Sequence, residues 1–155
     1  MTLDKNAIVK ALKPYFAVNE LVCPHCYAKY NERSWQFLDT NALYGLLLMR
    51  VSIFGVPMYV NNYKNGKTQR GLRCNLCQIV KDKTNAGVLY MSQHPFGKAW
   101  DFDVQGMTAE QARKKIIENA NLFPFNFRLE SDVNWVHWDC LDMYDNTAKV
   151  YIFKG

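Results

Sequence analysis

The sequence predicts an α+β fold in which a small antiparallel sheet is flanked by helices within one domain. The chain has 155 residues, a length typical of a single domain that can bury a hydrophobic core. Apolar residues make up 49% and charged residues 21%, the composition of a globular rather than a disordered protein. Stretches with helical spacing and stretches with strand alternation follow one another without repeats or linkers, so we assign residues 1–155 to one domain.

Three stretches are predicted to be helices. The residues from Asp4 to Leu12 form a short amphipathic pattern, which Pro14 ends. The strongest helical pattern extends from Ser34 to Arg50, with Ser34 placed as its N-cap. Thr108-Ala109-Glu110-Gln111 is a capping box, and the helix that it opens is expected to extend to about Asn121.

Five short segments are predicted to be strands, because apolar and polar residues alternate in them or because β-branched and aromatic residues are frequent. These segments are residues 55–60, 99–104, 127–130, 135–140 and 149–153. A polar loop is expected between residues 61 and 71.

The most informative residues are two histidines and an aspartate. His94 and Asp101 lie close together in the sequence, and His137 follows about forty residues later in Trp135-Val136-His137. Two imidazoles and one carboxylate with an open fourth position are the usual ligand set of a catalytic zinc. The three residues therefore suggest a hydrolase.

The strand alternation predicts how these three side chains meet. Pro95 and Gly97 permit a turn that brings His94 and Asp101 to one side of the chain. Alternation directs Asp101 and His137 away from the aromatic residues beside them. Antiparallel pairing of their two strands would then bring Asp101 and His137 together.

The motif Ser92-x-His94-x-x-Gly-x-Ala-x-Asp101, followed by Trp135-Val136-His137-x-Asp139, resembles the zinc D-alanyl-D-alanine carboxypeptidase family. Phage endolysin peptidases and vancomycin-resistance dipeptidases belong to this family, and the Hedgehog signalling domain shares its fold. The chain is most similar to small phage-encoded members that consist of this domain alone. The resemblance implies a Hedgehog/DD-peptidase-like fold in which one Zn²⁺ is bound by His94, Asp101 and His137, with water in the open position.

A zinc peptidase also needs a group that takes a proton from the water and returns it to the leaving amine. Family members place this group a few residues before the last histidine, and several use the position that is Asn134 here. An amide cannot act as a base, so Glu130 and Asp132 are the candidates for the catalytic base. Glu130 is ranked first because of its longer reach.

Substrate binding is predicted at three residues. Many relatives carry a Ser-Gly-Tyr-Arg element before the first histidine, and the nearest match here is Arg70-Gly71-Leu72-Arg73. Arg73 is the candidate for binding a terminal carboxylate, because arginine can bind one bidentately; the alternative is an ordinary surface arginine. Ser92 and Gln93 are expected to hold substrate or to orient His94.

Two Cys-x-x-Cys pairs form a second candidate metal site, composed of Cys23, Cys26, Cys74 and Cys77. Two such pairs can close a tetrahedral structural zinc site. The pairs are 47 residues apart, longer than in common zinc ribbons, so reduced or disulfide-paired thiols remain the alternative. A zinc at this position would tie the amino-terminal loop to the segment that carries Arg73. Cys140 is predicted to be a buried core thiol.

Charge and the amino terminus predict where the protein acts. The net charge of +5 is spread along the chain, which argues against a nucleic-acid-binding arm and is compatible with approach to an anionic cell wall or simply with solubility. The sequence shows neither a signal peptide nor a membrane span. We expect synthesis in the cytoplasm, followed by action on the wall after phage lysis or as part of a virion, and we expect a monomer.

The predicted function is a zinc-dependent peptidase that cleaves the stem peptides of bacterial peptidoglycan, either as a D-Ala-D-Ala carboxypeptidase or as an endolysin-type endopeptidase. The alternative is a catalytically inactive domain that keeps zinc and binds wall peptide or a protein partner. Asn134 is the residue that leaves this alternative open, because it stands where several relatives carry the base.

Overall fold

The computed structural model describes residues 2–144 and 147–155 and confirms an α+β architecture. The α-helices are Lys5–Leu12 (α1), Pro24–Tyr30 (α2), Thr40–Leu48 (α3), Gln78–Asn85 (α4) and Ala109–Glu118 (α5). The strands are Met58–Tyr59 (β1), Ala99–Val104 (β2), Phe127–Ser131 (β3), Val136–Asp139 (β4) and Val150–Lys154 (β5). Short 3-10 helices span Val18–Glu20, Asn31–Phe37, Tyr63–Asn65 and Ala120–Leu122, and a π-helical segment, Met49–Phe54, continues α3.

The five strands form one sheet in the order β1-β2-β4-β3-β5. Three neighbouring pairs are antiparallel, but β5 pairs with β3 in parallel, so the prediction of a purely antiparallel sheet is wrong for this pair. The reason lies in where β4 ends, since Asp139 is opposite Arg128 near the start of β3. β5 begins beside the start of β3, where Val150 lies opposite Phe127, and continues parallel to it.

The pairing of β2 with β4 confirms the predicted register between the two motifs. Asp101 lies directly opposite His137, and Trp100 lies opposite Trp138. Both tryptophans are fully buried in the core. Because side chains alternate along a strand, Asp101 and His137 project together from the other face of the sheet.

Helix α3, which was predicted to begin at Ser34, begins later, at Thr40. Ser34 is buried inside a 3-10 helix, where its hydroxyl donates to the Cys26 carbonyl, so its prediction as an N-cap is wrong. Asp39 caps α3 instead, because its carboxylate accepts hydrogen bonds from the backbone N–H groups of Asn41 and Ala42 at 2.8 and 3.1 Å. Two such bonds satisfy donors that a helix start otherwise leaves free.

Other predicted elements agree with the structure more closely. Asp4 caps α1, and both hydrogen bonds of the predicted capping box at Thr108 and Gln111 are present at the start of α5. The first predicted strand is reduced to Met58–Tyr59. Two helices, α2 and α4, were not predicted; they begin directly after Cys23 and Cys77.

Within the described residues no single helix is long and apolar enough to cross a membrane. The segments Pro24–Phe37 and Thr40–Phe54, bent at 86° to each other, reach that length and composition only as a pair.

The hydrophobic core lies between the sheet and α3, and Gly45 permits this contact. A Cβ atom at Gly45 would lie 2.4 Å from Cη2 of Trp138, whose ring is fully buried and cannot move aside. We expect Gly45→Ala to destabilise the protein by about 1 kcal/mol net, because overpacking costs ~1–3 kcal/mol and the gain in helix propensity is at most ~1 kcal/mol. Thermal unfolding should show a melting temperature lowered by roughly 2–4 °C. An unchanged or higher melting temperature would contradict this packing.

Candidate metal centre

His94, Asp101 and His137 come together as a buried cluster. One ligand atom from each of the three lies within 4.8 Å of the others. Asp101 and His137 project from β2 and β4, and His94 lies in the turn before β2. The structure therefore brings together the three residues that the sequence predicted as metal ligands.

His94 presents a free nitrogen to the centre of this cluster. Its Nδ1 lies 2.8 Å from the Gly71 carbonyl oxygen, which can only accept, so Nδ1 carries the proton. Burial lowers the pKa of His94, which keeps the ring neutral and leaves a lone pair on Nε2. Nε2 is buried without a hydrogen-bond partner and faces an Asp101 oxygen at 3.2 Å. Two acceptors facing each other in a buried site indicate a place for a cation.

His137 lies between two carboxylates. Its Nδ1 is 2.7 Å from Oδ1 of Asp101, and its Nε2 is 2.9 Å from Oδ2 of Asp139. Burial alone would lower the pKa of His137, but the hydrogen bonds to the two aspartates raise it to about 9. Burial would likewise raise the pKa of Asp101, but its hydrogen bond with His137 and its proximity to His94 lower it below its usual value. A metal ion would replace the proton that these groups share.

The donor set fits a zinc ion. Two imidazole nitrogens and a carboxylate oxygen leave a fourth tetrahedral position open. Each histidine has its other nitrogen bonded to an oxygen acceptor, Gly71 O for His94 and Asp139 for His137, which is the arrangement usual for metal-binding imidazoles. Asp139 is fully buried and is held in turn by Arg128 through two contacts of 2.8 Å.

The cluster opens into a cavity of about 580 Å³. Its lining includes every predicted site residue of the first centre except Asp132, and it carries two further cations, Lys83 and Arg128. Tyr90, Trp135 and Phe153 supply aromatic walls. A cavity of this size with a few convergent polar groups is typical of a site for a small ligand or a peptide end.

The two candidates for the base lie in different surroundings. Glu130, near the end of β3, is half-buried and lines the cavity beside His94 and His137. Asp132 has a positive φ of 63° and turns outward, where it forms an exposed ion pair of 3.0 Å with Lys154. This ion pair lowers the pKa of Asp132. Only Glu130 is thus placed beside the cluster.

Arg73 reaches the cluster directly. Its Nη2 lies 2.9 Å from Oδ2 of Asp101, its Nη1 lies 2.6 Å from the Tyr90 hydroxyl, and its Nε donates to the Gln69 carbonyl. The side chain is only 11% exposed, so it is not an ordinary surface arginine. Its predicted contact with a substrate carboxylate stays a prediction, while the contact with Asp101 shows that it also orients a candidate metal ligand.

Ser92 and Gln93 line the same cavity. The Ser92 hydroxyl accepts a hydrogen bond from the His94 backbone N–H at 3.4 Å. Gln93 is buried, and its side-chain amide donates to the Met91 carbonyl. Both residues therefore shape the segment that carries His94, and their contact with substrate stays a prediction.

A second cluster that could hold a metal such as zinc is formed by Cys23, His25, Cys74 and Cys77, whose ligand atoms lie within 4.8 Å of one another. The cluster contains three of the four predicted cysteines together with His25, and the fourth predicted ligand, Cys26, lies beside it. Burial and hydrogen bonds to Cys23 and Cys74 raise the pKa of Cys26 to about 12. All five cysteines are free thiols.

Sequence reasoning missed the roles of His25, Asp139 and Tyr90. The role of Asp139 could have been found in the sequence, because strand alternation places it on the same face as His137, two residues earlier. The role of His25 could also have been found, because it lies inside the first cysteine pair. Tyr90 had no such signal, since its contact with Arg73 spans 17 residues of loop and helix. Cys140 is buried, as predicted.

The bond between His137 and Asp139 leads to a prediction about metal affinity. We expect Asp139→Asn to weaken zinc binding by about 10–100-fold, the usual effect of losing a carboxylate that orients a metal-binding histidine. Asp103→Asn is the matched control, because Asp103 also pairs with an arginine, Arg70, but does not touch the cluster. Competition with a chelator measures both variants, and equal zinc affinity in the two would contradict the assigned role of Asp139.

Comparison with models of protein families gave no match, and comparisons with curated proteins and with solved structures gave none either. The interpretation of the two clusters therefore depends on their geometry and on the motifs in the sequence.

Proposed function

We propose that the protein is a zinc-dependent peptidase that cleaves stem peptides of bacterial peptidoglycan. The observation that carries the proposal is the unpartnered, buried Nε2 of His94, which faces Asp101 and His137 at the base of a cavity. The resemblance of the two motifs to the zinc D-alanyl-D-alanine carboxypeptidase family supports the same reaction class, and a Hedgehog/DD-peptidase-like fold is part of the proposal.

His94, Asp101 and His137 would hold the zinc ion, and Arg73 and Asp139 would keep Asp101 and His137 in position. When bound, zinc would lower the pKa of a coordinated water towards neutrality and polarise the carbonyl of the scissile bond. The buried, charged surroundings exclude bulk water from these three side chains.

Glu130 would be the base of the reaction. Its carboxylate would accept a proton as the water oxygen adds to the carbonyl carbon, and would return that proton to the nitrogen as the C–N bond breaks. The products are one new carboxylate and one amine, so no other reactant is needed. Support for Glu130 comes from its place on the cavity wall, which Asp132 does not share.

The substrate class is suggested by the charges of the cavity. Arg73 and Lys83 lie on its wall; Arg73 is paired with Asp101, and Arg128 is paired with Asp139. These cations suit a peptide that ends in a carboxylate, as stem peptides do, and the net charge of +5 favours approach to an anionic wall. A phage product released by lysis, or carried in a virion, is the setting that we propose, with the protein acting as a monomer.

Mass spectrometry of purified wall peptides after incubation with the protein tests this proposal. We expect loss of a terminal D-alanine or cleavage within the stem peptide, and no cleavage by His94→Ala. The second candidate function, a zinc-containing domain that binds wall peptide or a protein partner without turnover, is favoured by Asn134, which lies outside the cavity and cannot be a base. Retention of zinc and binding of wall peptide without any cleavage would select this second function.

A further inference from the structure

The second cluster lies beside the segment Gly71–Arg73, which holds His94 in place, and this position suggests a structural role for the cluster. We propose that Cys23, His25, Cys74 and Cys77 form a closed zinc site that fixes the segment Gly71–Arg73, and through it the first metal centre. All four ligand positions come from the protein, so this zinc would be structural. The inference does not require the protein to be a peptidase.

The distances within the cluster fit a tetrahedral zinc site. Nδ1 of His25 lies 3.6 Å from Sγ of Cys74 and 3.9 Å from Sγ of Cys77, and the two sulfurs are 4.0 Å apart. In a tetrahedral site, zinc–sulfur bonds of about 2.3 Å and zinc–nitrogen bonds of about 2.0–2.1 Å place nitrogen and sulfur roughly 3.6 Å apart and two sulfurs roughly 3.8 Å apart. The distances in the cluster are close to these values. A disulfide needs sulfurs about 2.05 Å apart, so Cys74 and Cys77 are not joined by one.

The backbone around the second cysteine pair suits a thiolate ligand. The Leu76 N–H donates to Sγ of Cys74 at 3.4 Å, and the Cys77 N–H donates to the Cys74 carbonyl at 3.0 Å. A thiolate is the form of cysteine that binds metal, and its sulfur can accept a backbone hydrogen bond of this kind. The turn therefore aims both sulfurs at one point.

The first cysteine pair is joined to the segment Gly71–Arg73 by backbone hydrogen bonds. The Cys23 N–H donates to the Leu72 carbonyl at 3.0 Å, and the Leu72 N–H donates to the Leu21 carbonyl at 2.9 Å. Gly71 allows this approach, because a Cβ atom there would lie 2.1 Å from the Leu21 carbonyl oxygen. A zinc ion bound to Cys23 and Cys74 would join the same two stretches of chain a second time, next to the backbone hydrogen bonds of Leu72.

The same segment holds His94 at two points. The Gly71 carbonyl accepts from Nδ1 of His94 at 2.8 Å, and the Arg73 N–H donates to the His94 carbonyl at 3.3 Å. Arg73 also contacts Asp101 through its side chain. Loss of zinc from the second cluster would free the segment, and the Gly71 carbonyl would no longer fix the ring of His94. We therefore expect the first centre to bind zinc less tightly.

Two pairs of variants test the inference without any measurement of activity. His25→Ala removes an exposed side chain, and Cys26→Ser is its matched control beside it in the first cysteine pair. We expect two zinc ions per chain in the unaltered protein and in Cys26→Ser, and one in His25→Ala and in Cys74→Ser. Cobalt substitution provides a second measurement, because only the sulfur-rich cluster gives strong thiolate-to-cobalt absorption, which His25→Ala should weaken.

The link between the two centres is tested by chelator competition at the first centre. In His25→Ala and Cys74→Ser we expect zinc affinity there to fall about tenfold or more, as when an outer partner of a metal-binding histidine is lost. Zinc loss in Cys26→Ser but not in His25→Ala would overturn the ligand set. Unchanged affinity at the first centre after the second has lost its metal would overturn the link.

Discussion

Glu130→Gln is expected to lower kcat for a stem peptide by about 10²–10⁴-fold while the protein keeps its zinc, because an amide cannot accept the proton of the attacking water. Asp132→Asn is the matched control, two residues further along the chain and equally conservative. We expect it to leave kcat unchanged, since Asp132 is exposed and bound to Lys154. Steady-state kinetics together with zinc content measures both variants.

The opposite result has a clear meaning. If Asp132→Asn lowered kcat and Glu130→Gln did not, the base would be the residue that the structure places outside the cavity, and the proposed assignment would be wrong. If neither change lowered turnover while zinc was retained, neither carboxylate would be the base.

Asp101→Ala is expected to remove the zinc of the first centre and to reduce turnover to background. Asp101 is the element that joins the cluster, because its two oxygens face His137 at 2.7 Å and His94 at 3.2 Å. Without it the two imidazoles lose the negative charge that balances a dication in a buried site. Metal analysis should show one zinc fewer per chain.

Asp103→Ala is the control for this change. Asp103 lies two residues further along β2 and pairs with Arg70 and Lys67 rather than with the histidines. We expect Asp103→Ala to keep its full zinc content and turnover. A full zinc content in Asp101→Ala would contradict the assignment of Asp101 as a ligand.

The first centre could be predicted from the sequence because it depends on strand alternation. With tryptophan and phenylalanine fixed on the core face, Asp101 and His137 could project only to the other face, and antiparallel pairing set them opposite each other. The capping box at Thr108 was an equally local signal, as Thr108 lies three residues from the N–H group that it binds.

Other features depend on contacts between distant parts of the chain, which sequence spacing does not reveal. The start of α3 was misplaced because the helical pattern continued backwards through the 3-10 helix that contains Ser34. The parallel pairing of β5 depends on its start lying beside the start of β3, about 23 residues earlier in the chain. The place of His25 in the second cluster depends on how α2 turns after Cys23 towards a segment about 50 residues away.

The central claim is that His94, Asp101 and His137 hold a metal ion, and anomalous diffraction at the zinc absorption edge tests it most directly. In crystals grown with zinc, we predict an anomalous peak about 2.0–2.2 Å from Nε2 of His94, a carboxylate oxygen of Asp101 and Nδ1 of His137. A protein that binds zinc at the cysteine cluster but shows no peak between these three side chains would contradict the claim.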